Sequence, residues 1–388
     1  MEDKAQPVTG TRDSDRYFPT LDGWRAVSAL AVFAGHALGR HVNDVPAAIA
    51  ARGVAVFFAI SGFLICSRLL DEECRTGTIS LKRFYIRRAF RILPPALFFL
   101  FVLLLISHFG LIHLRHGEIR SAALFYSNYS SEKSFFTFHF WSLSVEEHFY
   151  LLWPALLVFL GRRRVFWYGS GIVCLLWIWR VLESKHHWLF DRLVLMQRTD
   201  MAIDAILCSC LLAVLLSHAT FRRFFASRLN SATWLALLAL QAANLGAEWI
   251  WHEQWAEAAR ILQAVLLPLL VVGTVTSPNT VVGRALEWFP LRWMGRLSYS
   301  FYLWQELFCA NTRGTLAGRL YMFPVWFALS LGCACVSYYC LERLLIRLGH
   351  RLSNRVVPES QTKERTGLGA FTLSAAAPEV GLRVAPGE

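Results

Sequence analysis

Ten apolar runs dominate this chain, and their length limits what it can fold into. A helix that crosses the roughly 30 Å hydrocarbon core of a bilayer needs about 20 mostly apolar residues, with a range of about 17–25. Ten stretches approach that length: 24–40, 54–70, 92–112, 141–160, 165–182, 201–218, 231–247, 260–276, 297–312 and 323–342. Polar residues interrupt the fourth and the ninth. Backbone polar groups find no water in lipid, so a chain that crosses it repeatedly does so as helices or as a closed barrel. Runs of this length specify helices. Composition agrees: 55% of residues are hydrophobic and 17% charged, against about a quarter charged in soluble domains. The expected fold is all-α, a polytopic transmembrane helical bundle of about ten spans. Residues 1–20 form a polar N-terminal segment, 21–350 the membrane domain, and 351–388 a polar tail expected to be disordered.

The net charge of +12 raises nucleic acid as a partner. The basic residues, however, sit in short clusters between apolar runs, the pattern of loops that set membrane orientation. With the N-terminus cytoplasmic, about 27 of the 39 basic residues fall inside. An even number of spans returns the C-terminus to the same side. The expectation is therefore a multi-pass protein of the cell (inner) membrane, with lipid and no nucleic acid as partner. The first two dozen residues are polar, and the first apolar run lacks a small-residue cleavage site, so that run is read as a retained span and not a signal peptide. Nine scattered cysteines show no paired spacing for a zinc site or a disulfide framework, and no metal is expected.

A charge inside a membrane helix is costly, which makes such residues candidates for function. Arg25 and His36 are eleven positions apart on the first run. That is close to three helical turns, so both share one face about 16 Å apart. Arg25 alternatively anchors at the interface, and His36 alternatively serves interhelical hydrogen bonding. Arg87, Arg88 and Arg91 cluster before the third run; guanidinium forks at three- and four-residue spacing suit phosphate, although ordinary orientation charge explains them too. Glu146 and Glu147 open the fourth run at a depth read as comparable with His36. A carboxylate beside a histidine fixes its tautomer and strengthens it as a base, so Glu146 is read as the partner of His36. Glu147 fits an exposed helix start better. The stretch Gly53–Leu64 offers small residues for close helix packing, and Ser298–Gln305 carries hydroxyls and an amide into the ninth run.

Read together, these segments resemble the acyltransferase 3 family, membrane-bound enzymes that O-acylate sugars and related acceptors. Five signatures occur in family order over about residues 17–345: Arg25 with His36, Gly53 to Leu64, Arg88 with Arg91, Trp141 to Glu146, and Ser298 to Leu303. There are departures. Ala55 stands where the family often has an acid, Gln305 where a histidine is common, and His148 at a usual glutamine. Asp204 looks like the family's sixth-helix acid, but the arginine expected just before it is missing, leaving Arg198 or Asp200 to compensate.

The resemblance implies acyl-CoA, acetyl-CoA being commonest, as a donor substrate from the cytoplasm, with no permanently bound cofactor. It implies a carbohydrate or glycoconjugate hydroxyl as acceptor at or beyond the outer face. Arg88, Arg91 and Arg87 would hold the donor phosphates. His36, Glu146 and Arg25 would be catalytic, with Asp204, Tyr302 and Gln305 binding substrate. His36 either deprotonates the acceptor directly or takes the acyl group itself. A transporter of an acyl donor or lipid-linked sugar is the rival reading, because ten spans with intramembrane charge suit transport as well; a non-catalytic sensor is a third.

Overall fold

The computed structural model describes residues 17–39, 45–186, 197–309 and 316–356. Within them the chain is helical, with no β-strand. The elements in order are α1 (Pro19–Leu38), α2 (Val45–Thr76), α3 (Leu81–His108), α4 (Glu118–Ala123), α5 (Phe135–Phe138), α6 (Phe140–His186) and α7 (Thr199–Ala202). There follow α8 (Asp204–Leu216), α9 (Ala219–Arg228), α10 (Ser231–Thr276), α11 (Val281–Leu286), α12 (Phe289–Cys309), α13 (Leu316–Ser337), a π-helical turn (Tyr338–Glu342) and α14 (Arg343–Val356). A 3₁₀ turn, Ser127–Tyr129, lies between α4 and α5.

Two of the long helices are hairpins. In α6, Gly161 takes φ 71° and ψ 168°, a non-helical conformation that glycine adopts without a Cβ clash. The Trp153 ring consequently comes within 3.8 Å of where a Cβ of Gly169 would stand, whereas a straight helix would hold the two residues about 24 Å apart along its axis. In α10, the Asn244 amide donates to the Ala259 carbonyl at 3.0 Å, and Trp255 Nε1 donates to Asn244 Oδ1 at 3.2 Å. Positions 244 and 259 of a straight helix would be about 22 Å apart, so α10 reverses between them. Each predicted apolar run thus falls mainly on helix or on one arm of a hairpin; residues 109–112 lie past the end of α3, and residues 40 and 310–312 lie outside the described residues.

Five helices are long and apolar enough to cross a membrane, or six when α8 and α9, bent by 110°, count as one span. That is fewer than the ten predicted. The α6 hairpin counts once although it carries two predicted runs. Neither α1 nor α12 is among the five, because both carry charged residues that the bundle turns inward: Asp22 and Arg25 on α1, Glu306 on α12. These two helices form the centre. Helix α1 packs chiefly on α2 and α12, and α2 on α8. A Cβ at Gly53 would stand 2.8 Å from the Ser28 carbonyl oxygen, so glycine there lets α2 approach α1.

Contacts between loops sort the two ends of the bundle. Arg162, just past the α6 turn, pairs with Glu73 near the end of α2 (Nε–Oε2 2.6 Å), and α14 packs on α3, with Arg83 donating to Asn354 Oδ1. At the opposite end Asn128 donates to Thr199 Oγ1 at 2.9 Å, and Lys133 donates to Gln197 Oε1. Helix α14 extends to Val356, so residues 351–356 of the expected tail are helix. They belong to α14, whose Gly349 and Ser353 are buried. Residues 1–16 and 357–388 lie outside the described residues.

Candidate active site

Two cavities meet in the middle of the bundle, and the predicted site residues divide between them. The smaller, about 90 Å³, is lined by Arg25, Arg88, Arg91, Ser61, Glu146, Glu147, Tyr150, Ser142, Tyr299 and Tyr302 among others. The larger, about 670 Å³, is lined by His36, His139, Arg52, Arg180, Asp204, Glu248, Trp141 and Tyr302, with a wall rich in alanine. Val54, Phe58 and Tyr302 border both.

The small chamber is a knot of opposite charges. Arg25 pairs with Asp22 one turn earlier on α1 (2.9 Å), and Asp22 accepts from Tyr17 at 2.8 Å. Glu146 accepts from Ser61 at 2.9 Å and from Tyr150 at 2.8 Å. The Arg88 guanidinium lies over the Tyr150 ring, 4.7 Å from its centroid. Arg88 and Arg91 face this space together, as spacing of three on α3 requires. Arg87 does not join them. It points to Glu72 of α2 at 3.8 Å. Glu147 lines the chamber beside Glu146, so it is not the exposed helix start expected; α6 begins at Phe140, placing both acids in its second turn.

Glu146 is therefore apart from His36. The carboxylate that meets His36 is Glu306 of α12, with His36 Nδ1 3.0 Å from Glu306 Oε1. The Glu306 side chain is fully buried and that of His36 is 20% exposed, so the imidazole is the member of the pair that reaches the cavity. His139, at the α5–α6 junction, brings its Nδ1 to 3.9 Å from the same oxygen and is itself fully buried. Its ring packs against Phe99, Phe140 and Tyr302. One turn before Glu306 on α12, Tyr302 shares a 2.6 Å hydrogen bond with Ser142 and donates to the His139 carbonyl at 3.3 Å. Gln305, between Tyr302 and Glu306, is fully buried and lines neither cavity.

Asp204 faces the large cavity with a partner the sequence motif did not supply. Arg180, on the second arm of α6, places NH2 2.6 Å from Asp204 Oδ2. Trp177 Nε1 donates to the same oxygen at 3.0 Å, and the Ala205 N–H donates to the other. Arg198 and Asp200, the expected substitutes, are occupied with each other at 3.0 Å. His148 Nδ1 is 2.6 Å from Thr199 Oγ1 at the loop end. Ala55 borders the large cavity, so the acid frequent there in the family would enter this space.

Glu306, Arg180 and His139 are the residues that motif reading misses. The first two are ionisable and lie inside predicted spans, at 297–312 and 165–182, which is the signal that finds them. His139 precedes its span and carries no such mark. Among the described residues, no group of three His, Cys, Asp or Glu is placed to hold a metal ion.

Comparison with known proteins bears on this arrangement. The acyltransferase 3 description, "Acyltransferase domain", matches residues 18–342. "Putative O-acetyltransferase" of Staphylococcus aureus (strain COL) is 30% identical over 323 residues, covering 74% of this chain and 50% of the relative. "Peptidoglycan O-acetyltransferase OatA" of Listeria monocytogenes is 29% identical over 328 residues (76% and 50%). "Putative peptidoglycan O-acetyltransferase YrhL" of Bacillus subtilis is 27% identical over 382 residues (90% and 58%). The chain spans about half the length of the curated relatives it matches. No solved structure matches it at significance. The matched region runs from the residue before α1 to the end of the π-helical turn and so contains both chambers and every residue that lines them; the chain belongs to the acyltransferase 3 family.

Proposed function

We propose that the chain is an integral membrane O-acyltransferase, moving an acetyl group from acetyl-CoA on the cytoplasmic side to a hydroxyl of a glycan at or beyond the outer face. The observation that carries this reading is the meeting of two chambers at Tyr302, the small one holding Arg25, Arg88 and Arg91 and the large one His36 beside the Arg180–Asp204 pair. The names of the relatives, two of which specify peptidoglycan, support acetyl as the group and a cell-wall glycan as the acceptor. The basic loops support ten crossings with both ends in the cytoplasm. This puts the end that carries Arg162, α14 and the start of α3 inside, with the large cavity toward the outer half.

In this reading Arg88 and Arg91 bind donor phosphates with bidentate charge-assisted bonds. The thioester arm extends past Tyr302 into the His36 cavity. His36 takes the proton of the acceptor hydroxyl as its oxygen bonds to the thioester carbon. The C–S bond then breaks, and the leaving thiolate takes that proton from His36. Donor and acceptor become ester and free coenzyme thiol, in balance. Arg180 and Asp204 hold the acceptor side of the cavity polar, giving sugar hydroxyls both donors and acceptors.

The test is transfer of label from acetyl-CoA to lysozyme-digested peptidoglycan by purified protein in liposomes. Wild type is expected to label the glycan, and His36→Ala to lose about 10²–10⁴-fold in kcat. A transporter would move donor and label nothing. Full transfer by a correctly inserted His36→Ala would remove His36 from the chemistry.

A further inference from the structure

Glu306 and His139 are buried titratable groups that the signatures of the family do not account for in this chain. Among the described residues neither Glu306 oxygen has a hydrogen bond, nor has either ring nitrogen of His139 or Nδ1 of His36. A buried polar group without a partner is expensive, and a carboxylate in a membrane bundle is more so. Two imidazoles nevertheless converge on one Glu306 oxygen from different parts of the chain: His36 from α1 at 3.0 Å and His139 from the α5–α6 junction at 3.9 Å. The titratable groups facing Glu306 are these two, Tyr302 and Cys309. No arginine or lysine is among them, so the carboxylate is turned toward imidazole and away from the guanidinium groups that hold the other buried acids.

Resting on the reading of His36 as the base, we infer that Glu306 is the positioning residue of His36 and that His139 is a second imidazole holding Glu306 in place. A carboxylate at Nδ1 selects the tautomer in which that nitrogen carries the proton. Nε2 is thereby left as the lone-pair nitrogen that faces the cavity. When Nε2 takes the acceptor proton, the same carboxylate meets the positive ring. His139 acts on Glu306 from the closed side, where the Tyr302–Ser142 contact fixes its backbone.

The test uses the full chain in nanodiscs with ¹⁵N-labelled histidine, the His36 resonances being those missing from His36→Gln among the twelve histidines. Wild type is expected to show His36 protonated at Nδ1, and Glu306→Gln to lose that preference. Glu306→Gln keeps side-chain volume and should lower kcat about 10²-fold or more with both KM values little changed. Glu306→Asp should recover part of the loss, and His139→Gln should fall between it and wild type. A His36 tautomer that ignores Glu306→Gln overturns the inference, as does a Glu306→Gln enzyme within threefold of wild-type kcat. His36→Ala, assayed in parallel, separates the two claims. If it stays active, the base assignment fails, and this inference fails with it; if it is dead while Glu306→Gln works, only the pairing fails.

Discussion

The two chambers are built on opposite plans. In the small one three of the charges have protein partners: Arg25 has Asp22, Glu146 has Ser61 and Tyr150, and Arg88 has the Tyr150 face. A ligand enters it by exchanging those contacts for its own charges. The large one offers about 670 Å³ against about 90 Å³, with alanines along α2 making room and the Arg180–Asp204 and Arg52–Glu248 pairs in its wall. A cavity of that size is typical for a whole small ligand. On the proposed function, the small chamber recognises donor charge and the large one accommodates the acceptor beside its ion pairs. Substitutions should therefore act differently in the two places.

The largest effect is expected at the buried Arg180–Asp204 pair in the wall of the large cavity. Arg180 and Asp204 are 3% and 7% exposed, and removing one member of a buried pair strands the other. Arg180→Ala should cost about 3–5 kcal/mol of stability, read as loss of thermal resistance in detergent. Replacing both members by Met and Leu should restore most of it. If Arg180→Ala is as stable as wild type, the pair is not structural, and the comparison loses its account of how an open cavity survives in the bundle.

Next comes the arginine side. One charge-assisted hydrogen bond is worth about 1.5–3 kcal/mol, so Arg91→Ala should raise the donor KM about 10–100-fold. The acceptor KM should barely move. Equal changes in both would mean that the chambers do not divide the substrates. At the junction the effect should be smaller. Ser142→Ala removes one of the two contacts of the Tyr302 hydroxyl, a loss of about 1 kcal/mol. The expected result is a kcat drop of less than tenfold, with neither KM altered.

The same contrast explains what sequence made legible. Apolar length finds α1, α2 and α3 but not their full extent, the helices starting five, nine and eleven residues before their runs. A span announces itself by unbroken apolar character, and polar helix ends do not. Arg88 with Arg91, and Arg25, are found by spacing, since residues on one helix share a face. Pairings between helices are another matter. Glu146 and Glu306 are both acids in predicted spans, and nothing along the chain says which of them His36 meets. That choice depends on how α12 and α6 rotate about α1. Arg180 replaces a residue expected beside Asp204 in sequence because a hairpin at Gly161 returns it to that place in space. Fewer than ten helices have the apolar character of a span because α1 carries Asp22 and Arg25 and α12 carries Arg292, Arg296 and Glu306, although both helices are long enough.

The smallest expected effect lies outside the spans, at Lys133 in the loop before α5, and it tests whether the end near the large cavity is as closed as its side contacts imply. Burial pushes the Lys133 ammonium down from 10.5 to about 8, while its bond to Gln197 Oε1 favours the charged form. The folded protein therefore holds this proton less tightly than the unfolded chain does. The penalty for burying the charge is fully present below about pH 8 and is relieved as pH rises from about 8 toward 10.5. Within that window stability should climb slightly with pH in wild type, and Lys133→Met should abolish the climb. Gln197→Leu should move the midpoint lower still, because the ammonium loses its acceptor while staying buried. A midpoint at the ordinary lysine value would mean that water reaches this loop freely. This end of the His36 cavity would then be as open as its volume allows, and not sealed by the Lys133–Gln197 and Asn128–Thr199 contacts.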